Sequence, residues 1–590
     1  MENVEQKLAV ITAPRHRFQL LVLFCAICKS FIYAVEPIKP NILIFLADNL
    51  GYNDISFFGS ATTQTPYIDR ELGERGLKLN NWNSVAHLCS ASRASLLTGK
   101  YPIKTGVYPR VFYPDSVYGL LPNETTIAEY LKDVGYKTSI VGKWHLGQRE
   151  PYLPTNQGFD EWIGIPYHMS GGSIDHHMCQ NDVNETMWLP LYQNNRIIES
   201  PVNVQNLATR YVEAARDFIK RSVTQTKGET KTPFFLYFPF SHVHQLCAPK
   251  HDGTDSYVHT RTCQWGKERN PTFKTAVEEM DWITGQVLHV LDDLNIANDT
   301  FVLFTSDNGP WIAEQECAGS KGPFEGRWLA ENTAFECTAC PSGYVHKPTP
   351  ARPRRCLYPN ENDENSINNG IDGIFCGFDT GLGSSWEANV RMPAIARWPG
   401  HIVEGKETME LVSTLDVLPT ILSLLGIKIP DEIDGNDISN VLFGKDGCNF
   451  FTKRNEKVLF FWRDGFQSGP LPPPYGRFDI AAIKLNNIKA WYYTKSAHYN
   501  PDKEVFHDPP LLFDILQDPA EAFPLDPMLY QFEIKRINEL RKLHLKSIDW
   551  TYPLALERNI ELIPCADVEH KCRTYDFVET DIVPELTLDS

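Results

Sequence analysis

The length, composition and charge of the chain limit what the protein can be. Its 590 residues exceed one ordinary hydrophobic core, so we expect two domains, or one large domain with a smaller one attached. The hydrophobic share of 42% and the charged share of 22% are typical of a globular protein. The net charge of −18 argues against nucleic acid as a partner. An anionic small substrate is not excluded, because a local cationic pocket can exist on an acidic protein.

The first residues have the pattern of a secretory signal. Arg15 and Arg17 precede an apolar run at residues 18–27, and residues 32–34 offer a small residue for cleavage. We therefore predict a signal peptide over residues 1–34. A signal anchor is the alternative, although Lys29 interrupts the run and leaves it short for a bilayer span. No later segment approaches transmembrane length, so we expect no membrane span after signal cleavage.

Cysteine usage and glycosylation triplets indicate the same compartment. With Cys25 and Cys28 in the signal, and Cys89 set aside for the reason given below, 11 of the 14 cysteines remain. This number suits a protein with several disulfides and one unpaired thiol. The sequence does not give the pairing of the cysteines. Asn-x-Ser/Thr triplets, which predict a glycoprotein, occur at Asn123, Asn184 and Asn298. We expect a protein of the secretory pathway, either lysosomal or secreted.

Four apolar runs of strand length end directly in polar clusters. Such runs are typical of strands covered on both faces, and helical patterns, the clearest from Val277 to Leu294, lie between them. This alternation predicts an α/β sandwich. Ligands of open α/β sheets collect beyond the carboxyl ends of strands, so the four clusters indicate one site. The runs are residues 42–47 before Asp48 and Asn49, 138–141 before Lys143 and His145, 234–238 before His242 and His244, and 301–304 before Asp307 and Asn308.

The second half of the chain contains an insertion and a domain boundary. Residues 317–376 form a loop-rich, cysteine-bearing insertion, in which Cys337 and Cys340 offer a zinc site only as a weak alternative. Turn-forming residues near 430–447 indicate a boundary near residue 450. We predict a catalytic domain over residues 35–450 and a C-terminal subdomain over residues 451–590. The subdomain should contain strands near 458–462 and 489–494 and a helix near 531–545.

The segment from Leu88 to Gly99 is the most informative part of the chain. It predicts a short helix with a polar start that ends at Gly99. Arg93 lies one turn beyond Cys89, so the thiol and the cation share a face. For an isolated Cys-x-x-x-Arg pair, a small buried cysteine on an ordinary helix is the alternative.

Several motifs in order resemble the sulfatase family over almost the whole mature chain. The resemblance implies an alkaline-phosphatase-like α/β fold, with a large mixed sheet between helices and a smaller C-terminal domain with an antiparallel sheet. It also implies a sulfuric ester hydrolase of the arylsulfatase type, in which the formylglycine-generating enzyme converts Cys89 to formylglycine. The motifs are residues 46–52, 88–99, 142–147, 164–167, 305–310, 391–394 and 509–514.

The same resemblance implies roles for the polar clusters. One divalent cation, calcium in this family, would bind hard oxygen ligands from Asp48, Asn49, Asp307 and Asn308. Catalytic residues would be Cys89, Arg93, Lys143, His145 and His244. A hydroxyl of the formylglycine hydrate would attack sulfur, His145 would act as a base, and His244 would serve the leaving group as an acid. His242 is as well explained by a structural hydrogen bond.

Three residues depart from the family pattern. Asn49 stands where a second aspartate is usual, so the cation site loses one negative charge. Ala91 replaces the proline by which the converting enzyme normally recognises its cysteine. Leu382 stands where a sulfate-contacting lysine is usual, and Lys321 or Arg391 would have to supply the missing charge.

These departures leave two functions open. The first is sulfate monoester hydrolysis, with a sulfated small molecule, a sulfolipid or a sulfated sugar as substrate. The second is a catalytically impaired sulfatase fold that binds sulfated glycans or a protein partner. A phosphatase is disfavoured, because such relatives use a hydroxyl nucleophile and two metals. No motif fixes the pocket walls or the oligomeric state.

Overall fold

The computed structural model of the chain describes most of the predicted mature region. It covers residues 39–169, 189–224, 232–244, 273–312, 318–332, 379–444, 456–463, 479–497 and 504–564, and three short strands between 345 and 375. The predicted signal peptide, Asn184 and the side chains of all cysteines other than Cys89 lie outside these residues. In the described part, no helix is long and apolar enough to span a bilayer.

The described strands follow the apolar runs of the sequence and add several short segments. In chain order they are β1 Asn41–Ala47, β2 Leu77–Leu79, β3 Trp82–Asn83, β4 Lys137–Val141, β5 Glu161–Gly164, β6 Leu191–Gln193, β7 Arg196–Glu199, β8 Phe234–Pro239, β9 Thr300–Ser306, β10 Val345–His346, β11 Arg355–Leu357, β12 Ile374–Phe375, β13 Ala394–Arg397, β14 Lys406–Thr408, β15 Val412–Ser413, β16 Val458–Trp462, β17 Ile480–Leu485, β18 Ile488–Thr494 and β19 Val505–Asp514.

Ten strands form one mixed sheet in the order β14-β2-β13-β9-β1-β8-β4-β5-β6-β7. At its centre β1 pairs in parallel with both β8 and β9, so that Phe45 lies opposite Phe238 and Phe304. Strand β13 is antiparallel to β9, and β6 and β7 are antiparallel additions at the far edge. The predicted large mixed sheet is therefore confirmed.

Helices cover both faces of this sheet. They are α1 Cys89–Thr98, α2 Pro102–Thr105, α3 Ile127–Asp133, α4 Leu207–Val223, α5 Phe273–Asp293, α6 Arg327–Asn332, α7 Glu387–Val390, α8 Val417–Leu424, α9 Ser439–Leu442 and α10 Gln531–Ser547. Leu43 and Phe45 of β1 point to the core formed with α4 and α5, whereas Ile42 and Ile44 point to the core formed with α1, α3 and α8. Because consecutive β1 residues are buried on opposite faces, every residue of the strand after Asn41 is apolar.

A second sheet forms the C-terminal region. Strands β16 to β19 pair antiparallel in chain order, and α10 packs on them through the buried Ile537. The predicted small antiparallel sheet is thus confirmed. Its contact with the main region includes Trp386 and Trp491, whose ring centroids are 4.1 Å apart. In the predicted insertion, the described strands β10 to β12 form a small antiparallel sheet.

Candidate active site

The parallel pairing of β1 and β9 brings two polar clusters together. Ala47 and Ser306 are paired at the carboxyl ends of these strands, so Asp48 and Asp307 follow side by side. The Asp307 Oδ1 accepts hydrogen bonds from the backbone N–H groups of Asn49, at 3.1 Å, and Asn308, at 2.8 Å. Asn49 has a left-handed φ of 60°, a conformation that asparagine tolerates better than most residues. All four side chains predicted to bind the cation are buried in this loop pair.

Helix α1 places Cys89 beside these loops. Cys89 is its first residue, and the helix ends at Gly99 with a φ of 67°, as the sequence predicts. The Cys89 Sγ lies 3.4 Å from Asp48 Oδ1 and 3.6 Å from Asn49 Oδ1. Burial is the largest influence on the Cys89 thiol and raises its pKa well above the ordinary value. The unmodified side chain is therefore a neutral thiol rather than a thiolate nucleophile.

Two serines of α1, which the sequence analysis does not single out, connect the helix to the rest of the site. The Ser90 hydroxyl donates to the His145 carbonyl at 2.8 Å and accepts from the Phe112 N–H at 3.1 Å. The Ser92 hydroxyl donates to the Asp307 carbonyl. Every residue of α1 is buried, so its hydroxyls need internal partners. In the sequence, the signal for such internal hydrogen bonds is the presence of several hydroxyl residues on a helix that has no polar face.

Both predicted cations are paired with the acidic residues of the site. Arg93 donates from Nε and Nη2 to Asp307 Oδ2, at 3.0 and 2.8 Å, and Lys143 Nζ lies 2.6 Å from Asp48 Oδ2. A further bond of 3.0 Å joins Arg93 Nη1 to the Lys143 carbonyl. All four side chains are fully buried. Because two carboxylates face two cations, these side chains together have no net charge.

The two carboxylates differ in their acidity. Burial would raise the pKa of Asp48, but Lys143, with help from His244 and Arg93, holds it below the ordinary value. Burial and the neighbouring Asp48 raise the pKa of Asp307 to about 6, although Arg93 opposes the shift. A divalent cation beside Asp307 would favour its ionised form.

The predicted catalytic histidines belong to one row of rings. His145 is 5.3 Å from His168 between ring centroids, and His168 stacks on His244 at 4.9 Å. The Nε2 of His145 lies 3.0 Å from the Phe112 carbonyl, an acceptor only, so Nε2 carries the proton. The buried Nδ1 then presents its lone pair, without a hydrogen-bond partner in the described chain.

Burial keeps these histidines neutral. It is the largest influence on His145, whose pKa Lys143 lowers further, well below the ordinary value. The pKa of His244 falls to about 4, because burial and the cations outweigh the attraction of Asp48. His242 is different, since its Nε2 lies 3.0 Å from Glu279 Oε2 on α5, a contact that ties the loop to the helix.

The oxygen atoms of the site fit a divalent cation. Ligand atoms of Asp48, Cys89 and Asp307 lie within 4.8 Å of one another. The Asn49 Oδ1 is 2.6 Å from the Asn308 side-chain amide, and the buried Asn308 Oδ1 has no hydrogen-bond partner among the described residues. The unpartnered Asn308 oxygen, the Asn49 oxygen and the two carboxylates together are a donor set that suits a hard cation.

Leu382 lies at the site, as its alignment with the motif implies. It packs in one apolar cluster with Leu88, Cys89 and Val111, and its N–H donates to the Pro310 carbonyl at 2.9 Å. Arg391 does not supply the missing charge, because its guanidinium contacts the carboxylate of Glu387 at 2.7 Å.

The second candidate cation, Lys321, is held near this segment. Its Nζ lies 3.2 Å from the hydroxyl of Thr380, two residues before Leu382. Burial lowers the pKa of Lys321, and Asp379 and Glu325 oppose the shift.

Asn389 is a further site residue that the sequence analysis does not include. Its Oδ1 accepts from the Gly309 N–H at 3.1 Å, and its Nδ2 donates to the His87 carbonyl at 3.2 Å. It therefore joins the loop of Asp307 to the residues that precede Cys89. Only its closeness to the 391–394 motif in the sequence gives a signal of this role.

Comparison with known proteins assigns the family. The sulfatase family matches residues 40–427, and the family described as the C-terminal region of aryl-sulfatase matches residues 454–574. The chain belongs to the sulfatase family. This membership confirms the family that the sequence motifs resemble. The family generally uses a metal ion and formylglycine.

Individual sulfatases match along most of their length. Arylsulfatase G of Canis lupus familiaris is 32% identical over 564 residues, with 91% of each chain covered. Arylsulfatase A of Homo sapiens is 31% identical over 507 residues, covering 82% of this chain and 83% of that protein. The solved PsFucS1 sulfatase of Pseudoalteromonas sp. superimposes with a TM-score of 0.62 at 23% identity, over 89% of this chain and 95% of that one. The last match shows the shared fold.

Proposed function

We propose that this protein is a sulfuric ester hydrolase that cleaves sulfate monoesters through a formylglycine made from Cys89. Membership of the sulfatase family supports sulfate ester hydrolysis. The observation that carries the proposal is the position of Cys89 Sγ, 3.4 Å from Asp48 Oδ1 and 3.6 Å from Asn49 Oδ1. The reacting atom of residue 89 would lie against the oxygens that we assign to the cation.

Calcium is the cation that we propose. Its ligands would be the side-chain oxygens of Asp48, Asn49, Asp307 and Asn308. Since Lys143 and Arg93 are already paired with the two carboxylates, the described charges balance and give no net attraction for a sulfate anion. A divalent ion would make the site positive, which is the condition for binding the ester and stabilising charge on its oxygens.

Each side chain of the site has its own role in the proposed reaction. The formylglycine supplies an oxygen nucleophile from its hydrated aldehyde. Lys143 and Arg93 hold the carboxylates in place and offset their charge, so that the anionic ester is not repelled. The Nδ1 of His145 is suited to accept a proton, because its Nε2 is held by the Phe112 carbonyl. His244, whose ring lies 5.6 Å from Trp311, is assigned to the leaving-group side.

We also propose a location and a domain division. A lysosomal or secreted glycoprotein fits the predicted signal over residues 1–34, and Asn123 and Asn298 are exposed as glycan acceptors must be. The main region would be residues 35–450 and the C-terminal subdomain residues 451–590. The formylglycine-generating enzyme would act on Cys89 during biosynthesis.

A second candidate function rests on Leu382. Its side chain packs against Cys89 and brings no charge to the sulfate, so a site that binds sulfated glycans or a protein partner without efficient turnover is the alternative. Removing one preorganised charged contact typically costs about 3 kcal/mol of transition-state stabilisation.

Mass spectrometry of the tryptic peptide that contains residue 89 separates the two functions. We expect formylglycine at residue 89 when the full chain is expressed in a secretory eukaryotic host, together with calcium-dependent hydrolysis of an aryl sulfate. Cys89→Ala, prepared in parallel, should abolish turnover. Unmodified cysteine from a competent host, or equal turnover by Cys89→Ala, would contradict the hydrolase assignment.

A further inference from the structure

A groove of about 650 Å³ lies on the C-terminal region, between helix α10 and the chain that precedes it. One wall is a face of α10, from Gln531 to Lys542. The other wall is formed by Pro509 of strand β19 and by Pro527 and Met528 of the loop before the helix. A helix rises about 1.5 Å per residue, so the lined face of α10 is about 16 Å long and matches about five residues of extended chain.

The side chains in and beside the groove are apolar and basic. Met528 is 74% exposed, and Leu529 and Phe532 beside it are each 79% exposed. Clustered apolar side chains with such exposure typically mark an interaction site.

The charges that line the groove are mostly positive. Lys535 and Lys542 are exposed, and neither has an ion-pair partner within the described chain. The acidic residue of the groove, Glu539, contacts Arg536 at 3.6 Å. The groove therefore suits an occupant that is extended, apolar and acidic.

The chain itself contains a segment of this composition. Residues 575–590, which we call the acidic segment, lie outside the described residues and beyond residue 574, where the match to the family ends. The segment has five acidic residues and no lysine or arginine. Apolar residues stand between the acidic ones, at positions 577, 578, 582, 583, 586 and 588.

The spacing of charges in the acidic segment matches that in the groove. Lys535 and Lys542 are seven residues apart on α10, which corresponds to about 10 Å along the helix. Asp581 and Glu585 are four residues apart, or about 13 Å in an extended chain. The long, flexible lysine side chains can bridge this difference. The apolar pair at 582–583 then lies between the two charged contacts, where it can pack on the apolar lining.

The chain length allows the acidic segment to reach α10. Pro584 favours extended backbone at the preceding residue, which is the conformation that the spacing requires. The connection between Pro564, the last described residue, and Asp581 consists of residues 565–580. It can span up to about 50 Å, roughly twice the radius of gyration of about 25 Å that is expected for a folded chain of this size.

We propose that residues 581–585 bind in the groove of α10 of the same molecule, with Asp581 and Glu585 paired to Lys535 and Lys542. A segment tethered to its own binding site has an effective concentration in the millimolar range, so a weak contact is enough to keep the groove occupied. The inference is independent of the proposed sulfatase function, because it involves no residue of the active site.

Carbodiimide cross-linking of the full chain tests the contact directly. This reagent joins a lysine to a carboxylate only when the two groups touch, and mass spectrometry of the digested protein identifies the pair. We expect Lys535 or Lys542 to be joined to Asp581 or Glu585. The yield should not depend on protein concentration, because the contact is within one molecule.

Substitutions that leave the cross-linked groups in place test the apolar part of the contact. The double variant Ile582→Ser/Val583→Ser should lower the yield at least tenfold, whereas Leu588→Ser, outside the bound residues, should leave it within twofold. In the groove, Met528→Ser should lower the yield at least fivefold. Met409→Ser, which changes an exposed methionine elsewhere, is its control.

The other possible occupants give different results. Absence of the cross-link, or an equal yield in the double variant, would overturn the proposal. A yield that rises with protein concentration would assign the groove to a second copy of the chain. Sedimentation of the unsubstituted protein with phosphatidylserine vesicles, together with loss of the cross-link, would assign it to a lipid surface. Either of these results would also overturn the proposal.

Discussion

At the scale of single residues, Asn49 bears on how strongly the proposed site would hold a cation. Its Oδ1 lies 3.6 Å from Cys89 Sγ and 2.6 Å from the Asn308 amide, so it faces the cluster although it has no charge. The remaining carboxylates, Asp48 and Asp307, are each neutralised by a cation. The site is therefore short of negative charge for a divalent ion.

Asn49→Asp should tighten calcium binding. Ligand charge is a main determinant of calcium affinity, so we expect at least a tenfold lower Kd by titration calorimetry. In the presence of a chelator the same variant should unfold at a lower temperature, because a third buried carboxylate then repels its neighbours. Asn53→Asp, a partly exposed change four residues away, is the control and should alter neither value. Unchanged affinity in Asn49→Asp would argue against the assigned ligand set.

Ala91 is expected to limit the conversion of Cys89. It is the third residue of α1, where a backbone N–H has no partner within the helix, so proline fits there without breaking a helical bond. Ala91→Pro should therefore raise the fraction of formylglycine in the residue 89 peptide by severalfold, as measured by mass spectrometry. Ala91→Gly is the comparison and should bring no gain. Equal conversion in all three proteins would mean that this position does not control recognition.

At the scale of elements, helix α5 holds the start of the π-helical turn Ile68–Gly73 through a buried carboxylate. The Asp281 side chain accepts hydrogen bonds from the N–H groups of Ile68, at 2.7 Å, and Tyr67, at 3.2 Å. Burial nevertheless raises the pKa of Asp281 to about 7, and the acidic neighbours Asp69 and Glu278 add to the shift. The contact between these elements is therefore sensitive to pH.

Asp281→Asn should change how stability varies with pH. An unfolded aspartate titrates near pH 4, so the folded state holds the extra proton between about pH 4 and 7. The contribution of Asp281 is fully present at low pH and is lost as the pH rises towards 7, by up to about 1.4 kcal/mol per pH unit. The Tm of the unsubstituted protein should fall, relative to that of Asp281→Asn, between pH 5 and 7. Glu213→Gln, an exposed change on helix α4, is the control, and parallel Tm curves for the unsubstituted protein and Asp281→Asn would refute this assignment.

The elements that carry the site could be predicted, and those at the sheet edges could not. Strands β1, β8 and β9 are buried on both faces, so their unbroken apolar runs stand out in the sequence. Strands β5 to β7 are short and partly exposed, and their pairing depends on neighbours distant in the chain.

The same contrast holds for the residues of the site. The predicted cation ligands and Lys143 follow strand ends, Arg93 lies on helix α1, and the structure places them together at one end of the sheet. Ser90 and Asn389 act through backbone groups, and such contacts leave no spacing pattern in the sequence.

At the scale of the whole molecule, a buried ionic cluster joins the main sheet to the C-terminal sheet. Glu387 of helix α7 contacts Lys484 of β17 at 2.8 Å and Lys489 of β18 at 3.0 Å, and it also binds Arg391. Glu521 completes the cluster at 3.2 Å from Lys489. Since Asn389 lies on the same short helix, the C-terminal region supports the loop of Asp307 through this cluster.

Glu387→Gln should destabilise the protein far more than Lys484→Met. The first change leaves three buried cations with one carboxylate, whereas the second leaves two cations facing two carboxylates. Removing one partner of a buried pair typically costs about 3–5 kcal/mol, so we expect a large fall in Tm for Glu387→Gln alone. Glu456→Gln, which breaks an exposed pair with Arg536, should have no measurable effect and is the control. Equal Tm values for Glu387→Gln and Lys484→Met would contradict this view of the cluster.

The burial of Cys89 has a consequence for the order of events during synthesis. Its side chain is 2% exposed, and it is enclosed by groups as distant as Leu382, which follows 293 residues later in the chain. A folded molecule offers a modifying enzyme no access to this atom. Ribosomes add about 5–20 residues each second, so roughly 15 to 60 seconds pass between the emergence of these two residues. For the conversion of Cys89 that we propose, the yield of active protein would then depend on whether enzymatic oxidation of the nascent chain precedes folding.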